Sequence, residues 1–199
     1  MFRIALRILL GLSLLIVGVS LFYPKIERVQ VSGASHYSEA DILRLARVRV
    51  GFPLLWVTKQ RVGALERDPW ILGAQVVRKW PGTLYISVTE RAPVLVRGKT
   101  AYALGGTVLP GATDADRARA VPLAGWGPDR SKEALAIYQL VARKRPQMLS
   151  YAPSGFTVSF ARSSLYTPDA ALLRAHWSAF VEQQAQHVAV YPWGVSIQQ

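Results

Sequence analysis

The residues that could support acid–base or metal chemistry are few and widely separated in this 199-residue sequence. Its three histidines are His36, His176 and His187, and no two of them have the spacing that places two imidazoles on one helical face. The chain has no cysteine, which excludes disulfides and thiolate metal sites. We therefore expect no metal site and no cofactor.

The carboxylates also lack a catalytic pattern. Asp and Glu number only twelve, and the pairs Asp114/Asp116 and Asp129/Glu133 fall in a predicted loop and at a predicted helix start, where capping explains them. No G-x-S-x-G nucleophile motif occurs, and the Gly-Gly pair indicates a turn rather than a phosphate loop. A Ser-His-Asp triad can be assembled from distant positions, so the sequence leaves that arrangement open. We expect a protein that is not an enzyme and has no small-molecule substrate.

The net charge of +12 is spread along the whole chain rather than concentrated in one block. Arg44, Arg47 and Arg49 alternate with apolar residues, which is typical of a solvated helix face, and they are not interleaved with aromatic residues as in a nucleic-acid binder. We expect no nucleic-acid partner. Such a surface suits a protein that works near anionic lipid or acidic partners, or it reflects an arginine-rich genome.

The amino-terminal segment predicts a membrane anchor. No charged residue occurs in Ile8–Tyr23, and the apolar run continues back to Ile4 with only Arg7 interrupting it. About twenty such residues suffice for a helix to cross a ~30 Å hydrocarbon core. The sequence therefore predicts a cytoplasmic tail at residues 1–7 and a single transmembrane helix at residues 8–24.

Basic residues at the start of this segment predict its orientation. Arg3 and Arg7 favour a cytoplasmic amino terminus, so the bulk of the chain would be extracytoplasmic, as in a single-pass type II protein of the inner membrane. A cleaved signal peptide is the alternative, because Gly18-Val19-Ser20 offers a small-x-small cleavage site. The apolar run continues to Phe22, which favours the uncleaved anchor.

Residues 25–97 predict a first domain with the order β-α-α-β-β. A strand at Ile26–Val31 precedes a helix that Ser38 caps and that buries a stripe of Ile42, Leu45 and Ala46. A second helix begins at Thr58 and ends near Asp68-Pro69, and a hairpin follows, with strands at Ala74–Arg78 and Leu84–Glu90. Pro81-Gly82 fits the centre of a type II turn, which would give Gly82 a positive φ.

Residues 98–199 predict a second, β-rich domain with helices. A short hairpin at Tyr102–Leu109 is followed by a polar loop at 111–119 and by a helix capped by Ser131. An alternating strand occupies Phe156–Phe160. A further helix begins at Thr167-Pro168-Asp169, with a core face formed by Leu173, Trp177, Phe180 and Val181.

A series of motifs follows the apolar segment and resembles a known family. They are Val29–Ser38, Gly51–Leu54, Asp68–Ile71, Val76–Leu84 and Glu90–Pro93. In this order they resemble the POTRA domain of the FtsQ/DivIB family of bitopic bacterial cell-division proteins. The resemblance covers residues 1–97, and residues 98–199 resemble the family's second domain in layout. The predicted fold class is thus α+β: a transmembrane helix, a POTRA-like domain at residues 25–97 and a β-rich domain at residues 98–199.

The resemblance implies a non-enzymatic divisome scaffold at the division septum. Its implied partners are FtsB- and FtsL-like bitopic proteins and the septal cell-wall synthase complex, whose peptidoglycan synthesis it would help to control. The alternative is a membrane-anchored POTRA-type interaction module in envelope protein assembly or secretion. Within the domain we expect four residues to be structural: Gly33, Trp70, Pro81 and Gly82.

The carboxyl-terminal residues are the candidate binding site for a partner. From His187 onward the sequence is strand-like on both sides of Pro192-Trp193-Gly194, and Val188–Ile197 carries no charge. An apolar edge strand without charges is prone to pair with another chain. We therefore expect partner binding through Tyr191, Trp193, Val195 and Ile197, with the last three on one face. The alternative is an internal strand whose side chains lie in the core.

Overall fold

The computed structural model describes the backbone of residues 2–22, 24–178 and 186–198 and the side chains of residues 6–19, 24–178 and 186–197. The chain divides into two compact units, residues 1–91 and residues 92–199. The sequence predicts a boundary after Arg97, but the structure divides the chain six residues earlier, after Arg91. The reason is that β4 (Pro93–Arg97) pairs with strands of the second unit.

The first unit has the α+β order that the sequence predicts. Its sheet has the order β1-β3-β2, in which β1 is parallel to the central β3 and β2 is antiparallel to it. Its elements are α1 (Phe2–Phe22), β1 (Arg28–Ser32), α2 (Glu39–Leu45), α3 (Lys59–Gly63), β2 (Ile71–Lys79) and β3 (Thr83–Glu90). Among the residues that the structure describes, no helix reaches the length and apolar character needed to cross a membrane.

Local capping chemistry explains the helices of the first unit. The Ser38 hydroxyl accepts a hydrogen bond from the Asp41 amide, and the Asp41 carboxylate accepts one from the Ser38 amide, which forms a capping box for α2. Thr58 caps α3 in the same way through the Arg61 amide. Of the predicted stripe on α2, Ile42 and Ala46 are buried, but Leu45 is exposed because α2 ends there.

The hairpin between β2 and β3 is confirmed, but its predicted type II turn is wrong. The φ of Gly82 is not in the left-handed region, and the Trp80–Pro81 peptide bond is cis. A Cβ on Gly82 would lie 2.8 Å from the Lys25 carbonyl oxygen, and the Gly82 carbonyl accepts a hydrogen bond from the Glu27 amide at 2.8 Å. Glycine is needed here because another backbone segment passes close by.

The second unit is built on a nine-stranded sheet with the order β12-β11-β10-β9-β8-β7-β4-β5-β6. Helices α5 and α6 contribute to one core cluster with the sheet residues Leu149, Phe156, Val158 and Leu165. The other elements of this unit are β5 (Thr100–Ala103), β6 (Val108–Leu109), α4 (Asp114–Ala118), β7 (Val121–Gly125), α5 (Ser131–Val141), β8 (Met148–Ala152), β9 (Gly155–Ser159), β10 (Ser164–Thr167), α6 (Ala170–Ala175), β11 (His187–Tyr191) and β12 (Gly194–Gln198).

Three predictions for the second unit need correction. The predicted loop at 111–119 contains α4, because Thr113 and Asp116 form a capping box that also buries Asp116. Ser131 lies inside α5, and its amide and hydroxyl donate to the Asp129 carboxylate. The cap of α6 is Asp169 rather than Thr167.

The predicted core face of α6 is only partly within the described residues. Leu173 is buried and Trp177 packs partly against the core cluster. Phe180 and Val181 lie outside the described residues.

Candidate functional site

The motif residues of the first unit meet at one corner, which we call the Glu90 junction: Ser35, His36, Tyr37, Asp68, Trp70, Glu90 and Arg91. The Glu90 carboxylate accepts hydrogen bonds from the amides of Ser35, His36 and Tyr37 at 2.9, 2.8 and 3.2 Å and from the Ser35 hydroxyl at 2.8 Å. Successive backbone amides that point at one carboxylate form an anion-binding nest. In this way the end of β3 fixes the loop that leads into α2.

Aromatic and carboxylate groups extend the same junction towards β2. The His36 ring stacks on Trp70 with a centroid separation of 3.6 Å, and Trp70 is only 1% exposed. The Tyr37 hydroxyl donates to the Asp68 carboxylate at 3.0 Å, and Asp68 also accepts from the Trp70 amide at 2.9 Å. Arg91 donates to the carbonyls of Pro69 and Ile71. The motif residues therefore bind one another and hold the domain together.

The hydrogen bonds of the junction shift two pKa values. Burial opposes ionisation of Glu90, but the amides of His36 and Ser35, the Ser35 hydroxyl and the Tyr37 amide outweigh it and lower the pKa of Glu90. Burial, together with the hydrogen bond to Asp68, raises the pKa of Tyr37 to about 12. At neutral pH Glu90 is thus charged and Tyr37 is a donor, as the geometry requires.

Gly33 closes the adjacent end of β1. Its φ of +84° is in the left-handed region, and a Cβ there would lie 2.0 Å from the Val88 carbonyl oxygen. No other residue fits this position without moving the backbone.

The carboxyl-terminal hairpin of β11 and β12 lies at an edge of the sheet in the second unit. Strands β11 and β12 pair from His187↔Gln198 to Tyr191↔Gly194, so Pro192 and Trp193 form a two-residue turn. Within the described residues β12 pairs only with β11 and forms an edge of the nine-stranded sheet. The alternative of an internal strand is therefore not what the structure shows. Among the described residues, no second strand pairs with the other side of the β12 backbone.

The four predicted binding residues fall into two groups along this β12 edge. Val195 and Ile197 lie opposite Val190 and Val188, whose side chains belong to the core cluster. Val195 is half-buried against that core and Ile197 is 40% exposed. The apolar face of β12 thus lies at the rim of the core.

Trp193 is not on the face of Val195 and Ile197, contrary to prediction. It lies in the turn, where the twofold alternation of a strand does not apply, and its ring stacks on Tyr191 with centroids 5.0 Å apart. The Trp193 side chain is 82% exposed. Tyr191 and Trp193 therefore form an aromatic surface at the end of the hairpin.

Sequence reasoning missed Tyr166, which extends this aromatic surface. The parallel pairing of β10 with β11 places Tyr166 beside Ala189 and brings its ring within 5.9 Å of the Tyr191 ring. Tyr166 also lines a cavity of about 430 Å³ with Trp126 and Thr157. The sequence gives little signal for this residue, because β10 has only four residues and is too short to be identified from alternating polarity.

Comparison with known proteins identifies the first unit. The family model described as POTRA domain, FtsQ-type matches residues 25–91. The chain is 42% identical over 96 residues to cell division protein FtsQ of Streptomyces collinus. The matched segment covers 46% of this chain and 36% of that relative. It is 41% identical over 73 residues to FtsQ of Geobacter sp. strain M21, and this match covers 36% of this chain and 27% of that relative.

A longer match reaches into the second unit. The chain is 34% identical over 118 residues to FtsQ of Streptomyces coelicolor, which covers 57% of this chain and 45% of that relative. The matches thus cover less than half of the length of these curated relatives. Together with the family model, they show that residues 25–91 form a POTRA domain of the FtsQ type.

Proposed function

We propose that this protein is a non-enzymatic scaffold of the bacterial cell-division machinery, located at the division septum. The FtsQ-type POTRA domain supports this role, as do the similar proteins named cell division protein FtsQ. The carboxylates of the Glu90 junction accept hydrogen bonds from neighbouring groups of the domain, and the β12 hairpin presents aromatic and aliphatic side chains, an arrangement that suits recognition. Among the described residues no group of His, Asp and Glu could hold a metal ion.

We further propose that α1 anchors the protein in the cytoplasmic membrane with its amino terminus inside. The support is the uncharged run Ile8–Tyr23, the exposed leucine, isoleucine and valine side chains between Leu6 and Val19, and Arg3 and Arg7 at one end.

The proposed mechanism of recognition is strand addition at the β12 edge. The observation that carries it is an uncharged strand that, among the described residues, pairs only with β11 and is flanked by the stacked aromatic rings of Tyr191 and Trp193. A partner strand would gain main-chain hydrogen bonds from β12, and the aromatic rings would supply anchoring contacts. The proposed partners are FtsB- and FtsL-like bitopic proteins, through which the protein would help to control the septal cell-wall synthase complex.

A charge on the edge strand tests this mechanism. Ile197→Lys places a cation on the half-exposed apolar face of β12 at the rim of the core, which disfavours strand addition, whereas Val108→Lys places one on β6, the opposite edge of the same sheet. The two residues are 40% and 49% exposed, so neither variant should unfold the unit. Each full-length variant is purified from membranes, and co-purifying chains are identified by mass spectrometry.

We expect Ile197→Lys to lose the bitopic division partners and Val108→Lys to retain them. Retention by a folded Ile197→Lys protein would place the docking surface elsewhere. Recovery of envelope-assembly or secretion components in place of division proteins would overturn the divisome role and favour the alternative function.

A further inference from the structure

The residues just after α1 are paired with a segment that exposes large apolar side chains. The Pro24 carbonyl accepts a hydrogen bond from the Leu54 amide at 2.8 Å, and Pro24 follows the end of α1 at Phe22 by two residues. The Ile26 amide donates to the Phe52 carbonyl at 2.9 Å, and the Ile26 carbonyl accepts from Gly51 at 2.8 Å. Residues 51–54 are therefore held directly beside the end of the amino-terminal helix.

Four exposed apolar residues lie in the segments that are hydrogen-bonded to residues 24–27, and we call them the helix-proximal patch: Val50, Leu55, Trp56 and Trp80. Their exposed fractions are 62%, 53%, 40% and 63%. The 3₁₀ turn Leu54–Trp56 buries Leu54 in the core and leaves its other two side chains outside. Trp80 belongs to the β2–β3 turn. A hydrogen bond from the Glu27 amide to the Gly82 carbonyl joins this turn to the segment just before β1.

Basic residues accompany the patch in the segments that form it. Residues 24–28, 47–61 and 78–82 contain eight Lys or Arg residues and a single carboxylate, Glu27. Exposed tryptophan and leucine beside cations are typical of a surface at the membrane–water interface, where aromatic rings lie at headgroup level and Lys or Arg contact lipid phosphates.

We propose that the helix-proximal patch inserts into the headgroup layer of the leaflet from which α1 emerges, and that the surrounding cations bind anionic phospholipid. The proposal rests on the proposed membrane anchoring by α1. Covalent continuity favours lipid over a protein partner, because the patch lies in segments hydrogen-bonded to residues 24–27, which follow the proposed spanning helix closely in the chain and so stay near the bilayer surface. The contact would fix the POTRA domain against the membrane at a second point.

The absence of cysteine from the sequence makes the test specific, since each introduced cysteine is the only thiol to label. The full-length protein is reconstituted in vesicles of phosphatidylethanolamine and phosphatidylglycerol. It carries an environment-sensitive fluorophore at Leu55→Cys, at Leu72→Cys or at Leu14→Cys. Leu55 and Leu72 are similarly exposed, at 53% and 58%, but Leu72 lies about 23 Å along β2 from Lys79 at the turn.

We expect nitroxide lipids labelled at the headgroup to quench the fluorophore at position 55 at least threefold more than the one at position 72. Replacing phosphatidylglycerol with phosphatidylcholine should reduce the quenching at position 55. Deep acyl-chain nitroxides should quench position 14 in both lipids, which reports α1 insertion independently.

Equal quenching at positions 55 and 72, with position 14 quenched, would overturn the patch proposal and leave the anchor intact. Protection of position 55 that appears only when a partner protein is added would overturn it as well. Failure of the deep nitroxides to quench position 14 would overturn the anchor and, with it, the contact that depends on it.

Discussion

The Glu90 junction and the β12 edge differ in how their backbone amides and carbonyls are hydrogen-bonded. At the junction one carboxylate accepts from three consecutive amides and a hydroxyl, and a fully buried tryptophan stacks on the adjacent His36. At the edge, a strand without charged side chains pairs with one other strand among the described residues, and a tryptophan that is 82% exposed lies at its end.

The difference separates the part of the molecule that matches the family model from the part proposed to bind a partner. The family model matches residues 25–91, which contain the junction and exclude the edge. Junction residues need particular side chains because each satisfies a specific buried group. An edge strand recognises its partner largely through the backbone, which many sequences can supply. Changes at the junction should therefore cost folding stability, and changes at the edge should not.

The largest loss of stability is expected for Trp70→Ala. Trp70 is 1% exposed, so its removal leaves a cavity and should lower the free energy of unfolding of the first unit by about 3–5 kcal/mol. Thermal unfolding of the chain from Lys25 onward measures the effect. Trp80→Ala is the matched control, because Trp80 is 63% exposed, and it should shift stability by less than about 1 kcal/mol. Equal losses in the two variants would mean that Trp70 does not belong to the core.

Gly82→Val should be the next most damaging change. Its Cβ would lie 2.8 Å from the Lys25 carbonyl oxygen, a backbone atom that cannot rotate away, so we expect a loss of about 1–3 kcal/mol. Gly105→Val is a suitable control, since nothing lies within 4 Å of a Cβ there. An unchanged unfolding midpoint for Gly82→Val would show that the β2–β3 turn does not contact the start of β1.

Gly82 also shows what could be predicted from the sequence and what could not. The helix starts at Ser38 and Thr58 and the β2–β3 hairpin were predictable, because capping and alternation are local. Glycine is required at position 82 because the Lys25 backbone passes close to it. Lys25 is distant in sequence, so a turn motif cannot reveal this contact. The Thr113–Asp116 capping box was local and readable, yet the polar composition around it indicated a loop.

The β12 edge was predictable only in part, for a related reason. Strand character from His187 onward follows from alternation, but whether the last strand is internal depends on the strand order of the whole sheet. The separation of Trp193 from Val195 and Ile197 follows from the two-residue turn, which the sequence pattern alone did not locate. Tyr166 joins the aromatic surface through a parallel pairing between distant strands.

Glu90→Gln should cost less than either change above, about 1–2 kcal/mol at neutral pH, because the amide retains one acceptor oxygen but loses the charge. The pKa of Glu90 is lowered in the folded state, so its stabilisation is complete above the ordinary pKa of 4.5 and is lost as the pH falls through the folded value. Wild-type and Glu90→Gln unfolding midpoints should therefore converge below pH 4.5. Glu39→Gln, an exposed carboxylate in α2, controls for general charge effects. A difference that stays constant with pH would show that the charge of Glu90 is not what the amides stabilise.

Trp193→Ala should have the smallest effect on stability and thus gives the sharpest test of the comparison. The ring is 82% exposed and stacks on Tyr191, so its removal should lower the free energy of unfolding of the second unit by only about 0.5–1 kcal/mol. If the aromatic pair anchors a partner strand, the same substitution should weaken co-purification of the bitopic partners tenfold or more, since exposed aromatic residues that become buried on binding are frequent hot spots. Trp126→Ala removes a ring that is 69% exposed in the same unit but outside the hairpin, and it should leave both stability and binding nearly unchanged. A large loss of stability in Trp193→Ala would mean that the hairpin depends on this ring for folding. Undiminished binding by the folded variant would restrict recognition to the backbone of β12 and its apolar face at Val195 and Ile197.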